Sequence, residues 1–358
     1  MSTVQGFFLT DVDVAALNNA GTDDKSHYEN AVKTKKIIKH GRVYPYASGQ
    51  AFRKWWRDAL EHHFNWQMSP IIRENKIAYT DANPIIYPDD DLFGYMRAGK
   101  IETIDETTGK KKKENITLTR VSPLKNSALI AVAGTKTEQA FSVMSRQEGD
   151  PVPYAREEYS AIMKGMFSLD LNQAGTFFSE ERTGFKNLNN DLVKCSLDHG
   201  AEIINDPFAM DKNKQPLSCY RLPRETRWQR IRDVISALKI INGGAMQTCN
   251  MVDITPKFLV LATFKTGNHP FSHLAVEEQS TRDYSVIAGL SIQSLKQVIS
   301  DYKNEFEGKV FIGRRHGFFD AYDGALFELS DNNKDTMFYG SISDAIEAYQ
   351  TQLKDQIP

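Results

Sequence analysis

Residues 31–57, AVKTKKIIKHGRVYPYASGQAFRKWWR, hold eight basic side chains and no acidic one. They are Lys33, Lys35, Lys36, Lys39, Arg42, Arg53, Lys54 and Arg57. A polyanion repels carboxylates as strongly as it attracts ammonium and guanidinium groups, so the missing acids point toward phosphate. Tyr44, Tyr46, Phe52, Trp55 and Trp56 are interleaved with the cations. Cations that hold phosphates, beside rings that stack on unpaired bases, suit single-stranded nucleic acid. A solvated charged face is the other reading of the same residues. The whole chain has 44 Lys/Arg against 46 Asp/Glu, a net charge of −2, so any such site is a local patch.

Other groups carry weaker signals. Gly243-Gly244 could admit a phosphate to the backbone or could simply stop a helix, and it matches no nucleotide-binding fingerprint. His62-His63 point to different sides of a helix and make a poor chelating pair. Asp89-Asp90-Asp91 lacks calcium-loop spacing, and Asp90 and Asp91 read as caps of the turn before LFGYMR. Asp23 and Asp24, in a polar loop, could hold Mg²⁺ or position a 2′-hydroxyl. No HxH, Glu-Lys or Ser/His/Asp arrangement supports catalysis, so the expectation is a non-enzyme without metal or cofactor. Cys195, Cys219 and Cys249 have neither metal spacing nor an even count, which suits a reducing cytoplasm. No apolar run reaches membrane-spanning length and MSTVQGFFLTDVDV lacks signal-peptide features, so a cytoplasmic protein with no membrane partner is expected.

The elements that must position these residues follow from periodicity. GFFLTDVDVAALNN (6–19) reads as a strand. Ser48 is placed to cap a helix from about Gln50 to Phe64, with Phe52, Trp55, Trp56, Ala59, Leu60 and Phe64 as its apolar stripe. The tryptophans read as core rather than stacking platforms. Residues 69–119 form an inserted region that ends in the polar loop IDETTGKKKKENIT, whose Lys110, Lys111, Lys112 and Lys113 make a mobile, solvated tip. A strand follows at Met166–Leu171. Residues 172–222 show little regular pattern, yet Phe177, Phe178, Phe185 and Phe208 argue for an arm whose apolar residues meet something. Residues 224–241 make the clearest helix, with Trp228, Ile231, Ile235, Leu238 and Ile241 buried and Arg224, Arg227 and Arg230 along a neighbouring face. Strands at 256–265 and 309–313 flank a helix near 291–306. This order is compatible with an α+β, ferredoxin-like β-α-β-β-α-β core of the kind RNA-recognition modules use, although KGMFSLDL does not satisfy their aromatic signature.

The run YPYASGQAFRKWWRDAL (44–60) resembles the Tyr-Pro-x-x-Ser-Gly-Gln-x-Phe-Arg signature of the DevR-type CRISPR-associated autoregulator family. DLFGYMR (91–97), SPLKNSALI (122–130), YSAIMKGMFSLDLNQAGTF (159–177) and TPKFLVLATF (255–264) match in family order and extend the resemblance over nearly the whole chain. The resemblance implies the repeated backbone subunit of a type I, I-B-like, Cascade complex. Its fold would be an RRM-like palm (1–68, 164–171 and 223–358), a finger insertion (69–163) and a thumb arm (172–222). Copies would polymerise along the CRISPR RNA, bind other Cascade subunits and present the guide to target DNA without cutting. Lys33, Lys35, Lys36, Arg42, Arg53, Lys54 and Arg57, with Ser48 and Gln50, would then meet guide RNA. Arg224, Arg227, Gly243, Gly244 and Gln247 would meet it from another side. Phe177 and Phe178 would wedge or hinge the thumb, and Lys110–Lys113 would contact target DNA. Related type III backbone subunits cleave RNA with an acidic loop residue after the first strand, a place comparable to that of Asp23 or Asp24. A DNA-binding transcriptional autoregulator is a further alternative.

Overall fold

The computed structural model describes residues 2–22, 30–74, 77–104, 111–146, 148–182, 186–211, 213–280, 283 and 285–358, with the backbone alone at 99–104, 111–116 and 207–208. Strand β1 (Thr3–Ala15) is apolar on both sides: Val4, Phe8 and Val12 join one buried cluster, Phe7 and Leu9 another. Successive side chains point to opposite faces, so such a strand must lie inside a sheet covered on both sides.

In chain order there follow β2 (Lys36–Lys39), β3 (Arg42–Ala47), α1 (Gly49–Phe64), α2 (Pro88–Phe93), β4 (Leu129–Ala131), β5 (Val152–Asp170), α3 (Asn190–Asp198), α4 (Arg224–Ala237), β6 (Phe258–Phe264), β7 (Val310–Arg314), β8 (Met337–Gly340) and α5 (Ile342–Gln356). The architecture is α+β, built on one twelve-stranded mixed sheet. Its main path runs β8-β7-β6-β1-β5-β4-β3-β2, antiparallel throughout except at β7–β8. Phe7 lies opposite both Met166 and Val260, which fixes the register of the three central strands.

One face of the sheet carries α1, α4 and α5. Phe8 stacks on Phe52 at 5.5 Å and Trp56 meets the Phe167 ring edge at 5.3 Å. Trp56 is fully buried and its indole N–H donates to the Val234 carbonyl at 3.0 Å, the partner that a buried indole needs. Trp56 is therefore core, as expected of the tryptophans. The opposite face packs Phe7, Leu9, Val260 and Phe264 against Phe271, Leu295 and Leu326.

Helix α1 begins where local chemistry says it must. The Ser48 hydroxyl accepts the Ala51 N–H at 3.3 Å, and Asn65 in the left-handed region closes the other end.

Residues 172–222 differ from the irregular arm expected. They hold strand Thr176–Phe177, α3, and a bulged hairpin of Glu202–Met210 with Pro216–Arg221. The Asn and Gly residues that obscured the pattern act at helix ends: Asn189 caps α3 by accepting the Leu192 N–H at 2.9 Å, and Gly200 (φ 78°) follows its end. Phe177, Leu188 and Leu222 bury themselves with Ile85 in a small core, so the segment has an interior of its own.

Residues 69–119 likewise contain two hairpins, Ile71–Glu74 with Ile77–Thr80 and Tyr95–Ile104 with Lys111–Arg120. Lys111, Lys112 and Lys113 belong to the second ladder, where their backbones pair with Ile104, Thr103 and Glu102, rather than to a loop tip. Lys110 lies outside the described residues, as do Asp23, Asp24 and Phe185.

Candidate nucleic-acid interface

Three segments remote in sequence meet at Leu17-Asn18, just past the end of β1. The Asn18 carbonyl accepts the Lys35 N–H at 2.9 Å. Its side-chain oxygen accepts the Ser48 N–H at 3.0 Å. The Leu17 carbonyl accepts the Ala245 N–H at 3.2 Å. The start of α1, the basic window and the loop after α4 are thus locked together by hydrogen bonds to Leu17 and Asn18. Gln50, Lys54 and Arg57 are spaced i, i+4, i+7 along α1, which lays them on one stripe leading away from this junction. Gln50 and Lys54 are exposed and Arg57 is half-buried.

The two glycines fit this junction through side-chain packing. A Cβ on Gly243 would sit 2.2 Å from the Trp55 ring, and one on Gly244 would sit 2.6 Å from Leu17. Gly244 also holds φ +109°, a conformation that side chains rarely adopt. Gln247 turns its amide inward, donating to the Gly243 and Val252 carbonyls. Helix α4 already ends at Ala237, so the glycine pair does not stop it. It lets the following loop lie against α1 and β1.

Several predicted phosphate contacts have their donors occupied within the chain. Arg53 gives Nη1 to the Leu124 carbonyl (2.8 Å) and Asn126 (3.0 Å), and Nη2 to the Phe93 carbonyl (2.8 Å) and Ser122 (2.9 Å). Its guanidinium lies 5.0 Å from the Phe93 ring, with Arg57 5.5 Å from the same ring. Burial, and then the Arg57 charge, lower the Arg53 pKa to about 10. Arg227 is buried and donates to the carbonyls of Ala174 (2.8 Å), Leu171 (2.8 Å) and Pro358. Arg53 and Arg227 thus serve as ties between segments of the chain. Arg224 is exposed and donates to the Ile357 and Lys354 carbonyls near the end of α5.

The smaller cations are partly engaged too. Lys36 pairs with Glu157, Arg42 with Glu277, and Lys54 with Asp58 at 2.7 Å along the helix. Lys33 and Lys35 are half-buried. Asp58 follows the window directly along α1, but Glu157 and Glu277 come from far along the chain, where sequence inspection has no means to place them. Phe177 is fully buried with the Arg120 guanidinium 4.4 Å from its ring, so it is core rather than an exposed wedge. Phe178 is half-buried beneath Arg182 at 4.3 Å.

A buried, highly connected polar site at Asp91 had no counterpart among the candidate nucleic-acid contacts singled out above. Asp91 has a fully buried side chain that receives Arg120 at 2.5 Å, Arg230 at 2.7 Å and the Gly175 N–H at 3.0 Å. Arg230 also donates to the Pro84 (2.8 Å) and Ile85 (2.6 Å) carbonyls, and Arg120 to those of Gln173 (2.7 Å) and Thr176 (3.0 Å). This hub joins α2, α4, the second hairpin and the base of the 172–222 segment. Asp89 accepts the Ser69 N–H at 3.0 Å; burial, and then the neighbouring Asp90, push its pKa up to about 6. The aspartates thus do more than cap a turn. The available sequence signal was three consecutive acids together with arginines on the inner side of an apolar helix. Among the described residues, no group of three or more His, Cys, Asp or Glu side chains is placed to hold a metal.

The family model of the CRISPR-associated negative auto-regulator DevR/Csa2 matches residues 10–285. The chain belongs to the DevR/Csa2 family. A solved chain titled "CRISPR RNA-guided surveillance complex, pre-nicking" shares its fold, with a TM-score of 0.50 at 10% identity over 98% of this chain and 99% of that one. Another, titled "CRISPR RNA-guided surveillance complex", aligns with a TM-score of 0.49 at 8% identity over 98% of this chain and 99% of that one. No curated protein matches. Among the described residues, no helix is long and apolar enough to cross a membrane. Within the DevR/Csa2 signature most residues build the scaffold. Tyr44 is buried with its hydroxyl on Glu277 at 2.6 Å, Ser48 caps α1, Phe52 stacks in the core and Arg53 ties three segments. Gln50 differs from them in being exposed, in the first turn of α1.

Proposed function

We propose that this DevR/Csa2 chain is a non-catalytic backbone subunit of a type I Cascade complex. It binds CRISPR RNA, assembles with copies of itself along that RNA and with other subunits, and presents the guide to target DNA. The observation that carries the reading is the junction at Leu17-Asn18, which joins the start of α1 to the Gly243–Gln247 loop and the basic window. A helix start offers backbone N–H groups and positive potential to a phosphate. Gln50, Lys54 and Arg57 would extend this contact down α1, with Lys33 and the Gly243–Gly244 backbone beside it.

The sheet order supports an RRM-like palm. Taking β1, α1, β4, β5, α4 and β6 as the β-α-β-β-α-β unit, the strands lie β6-β1-β5-β4, the fourth, first, third and second of a ferredoxin-like core. Residues 69–163, apart from the palm strands β4 and β5, would be the finger and 172–222 the thumb, and Lys111–Lys113 would contact target DNA.

The test is to purify the protein and analyse its nucleic acid. An RNA of fixed length, derived from the repeat array, is expected. Combining Gln50→Ala, Lys54→Glu and Arg57→Glu should release it without altering the far-UV spectrum. The affinity should fall with salt at a log–log slope of about −0.7 per phosphate contacted. Protein free of RNA that binds its own promoter duplex would replace this reading with that of a transcriptional autoregulator. Mg²⁺-dependent cleavage of bound RNA would replace it with the type III-like enzyme.

A further inference from the structure

The main path of the large sheet ends at β2, whose sequence is KIIK. β2 and β3 are joined by His40 and Gly41, both at positive φ (48° and 76°), as a two-residue type I′ hairpin requires. In such a hairpin the flanking pair, Lys39 and Arg42, bond to each other. Alternation then turns the N–H and C=O of Ile38 away from β3, toward the outer edge, where no strand of the described residues pairs with β2. Ile38 is also 72% exposed, so this edge is apolar as well as open.

Beside the edge, on the sheet face opposite α1, lies a shallow depression of about 280 Å³. Ile37, Tyr46, Ile130 and Met166 form its floor and Lys164 its rim. Register places these residues on one face: Tyr46 lies opposite Ile130, Ile130 opposite Lys164, and Lys164 opposite Leu9 of the second buried cluster. Ser127, at the margin, has its hydroxyl bonded to the Ala128 carbonyl and the Met166 N–H, so it offers little to a polar ligand. No acidic residue lines the depression. Lys164 reaches the Ser272 carbonyl at 3.2 Å, and Lys39 lies 5.0 Å from the Tyr44 ring. Among the described residues neither lysine has an acidic partner. Burial and the nearby Lys39 charge hold Lys164 below its ordinary pKa, so an arriving carboxylate would relieve an existing electrostatic cost.

We propose that this edge and depression dock an extended acidic segment of a protein partner. The segment adds a strand beside Lys36–Lys39, sets an apolar side chain into the depression and points carboxylates at Lys39 and Lys164. An open strand edge offers alternating main-chain donors and acceptors, which a peptide backbone matches. A nucleic acid has no such ladder of main-chain donors and acceptors. Lys36 and Lys39 belong to the basic window, but Ile37, Ile38, Tyr46, Ile130, Lys164 and Met166 lie outside the α1 stripe, so peptide docking and RNA retention can be read separately.

The full-length protein, with any co-purified nucleic acid, is used to pan a phage-displayed library of short random peptides. Enriched peptides should alternate Asp or Glu with aliphatic residues. Ile38→Pro removes the outward N–H while leaving the hairpin bonds, and should weaken these peptides about tenfold or more. Lys164→Gln, outside the basic window, should weaken them severalfold while RNA retention stays unchanged. Failure to enrich any acidic peptide would overturn the docking surface. Equal binding to wild type and Ile38→Pro would overturn strand addition. Displacement of the peptides by poly(dT) at physiological salt would overturn the choice of a protein partner in favour of single-stranded nucleic acid.

Discussion

Replacing Asp91 with Ala tests whether the buried hub holds the base of the 172–222 segment. The substitution removes one carboxylate with no exposed surface and leaves two guanidiniums, Arg120 and Arg230, that are 3% and 6% exposed at the side chain. Their remaining partners are carbonyls, which satisfy hydrogen bonds without supplying a full counter-charge. Removing one partner of a buried ion pair costs about 3–5 kcal/mol, chiefly because the other charge stays buried. Against a typical stability of about 5–15 kcal/mol, that is a third or more of the total in many cases. Asp91 also accepts the Gly175 N–H, and Arg120 donates to the Gln173 and Thr176 carbonyls, so the loss should be greatest at residues 173–177. Urea unfolding followed by tryptophan fluorescence gives the global loss, and amide hydrogen exchange gives its location. Replacing all three charges together, as Asp91→Leu, Arg120→Met and Arg230→Met, should recover much of the loss, since well-packed apolar groups often substitute for buried ion clusters. A loss below about 1 kcal/mol for Asp91→Ala, the scale of an exposed ion pair, would refute the hub reading. So would a triple variant as unstable as the single one.

Arg53→Met should destabilise the protein by about 2 kcal/mol or more, since four bonds from a charged donor are lost; RNA affinity of the folded protein, read by filter binding, should be unchanged. Gly243→Ala should cost about 1–3 kcal/mol in thermal unfolding, because its Cβ enters the Trp55 ring and the loop must move. Asp89 has a folded-state pKa of about 6, above the ordinary 3.8, so its contribution to stability is full below the unfolded value and is lost as pH rises through about 6. Asp89→Asn, which keeps an acceptor for Ser69, should therefore flatten the stability profile between these values and stabilise at neutral pH by at most about 3 kcal/mol; an unchanged profile would contradict the shift.

The elements legible in the sequence are those specified by neighbours a few residues away. Helix α1 was readable because Ser48 bonds three residues ahead and its apolar stripe repeats with the helical period. β1 was readable because apolar positions recur in loose alternation along it. The 172–222 segment was not. Its strands depend on bonds between Ile203 and Tyr220, far apart in the chain, and its Asn and Gly residues carry the same composition in a cap as in a loop.

The candidate site divides along the same line. An acid-free run of cations is a fact of sequence, and so is the motif that identified the family. Which of those cations can reach a phosphate is decided by long-range partners. Glu157 and Glu277 approach Lys36 and Arg42 only when the sheet is assembled, Arg227 is consumed by carbonyls that any residue type could supply, and Arg53 by two such carbonyls together with the Asn126 and Ser122 side chains. The sequence by itself determined where charge and apolar surface reside along the chain. Tertiary structure alone decided which charges are neutralised, because electrostatic and hydrogen-bonding partners are chosen by distance in space and a backbone carbonyl carries no signature in sequence.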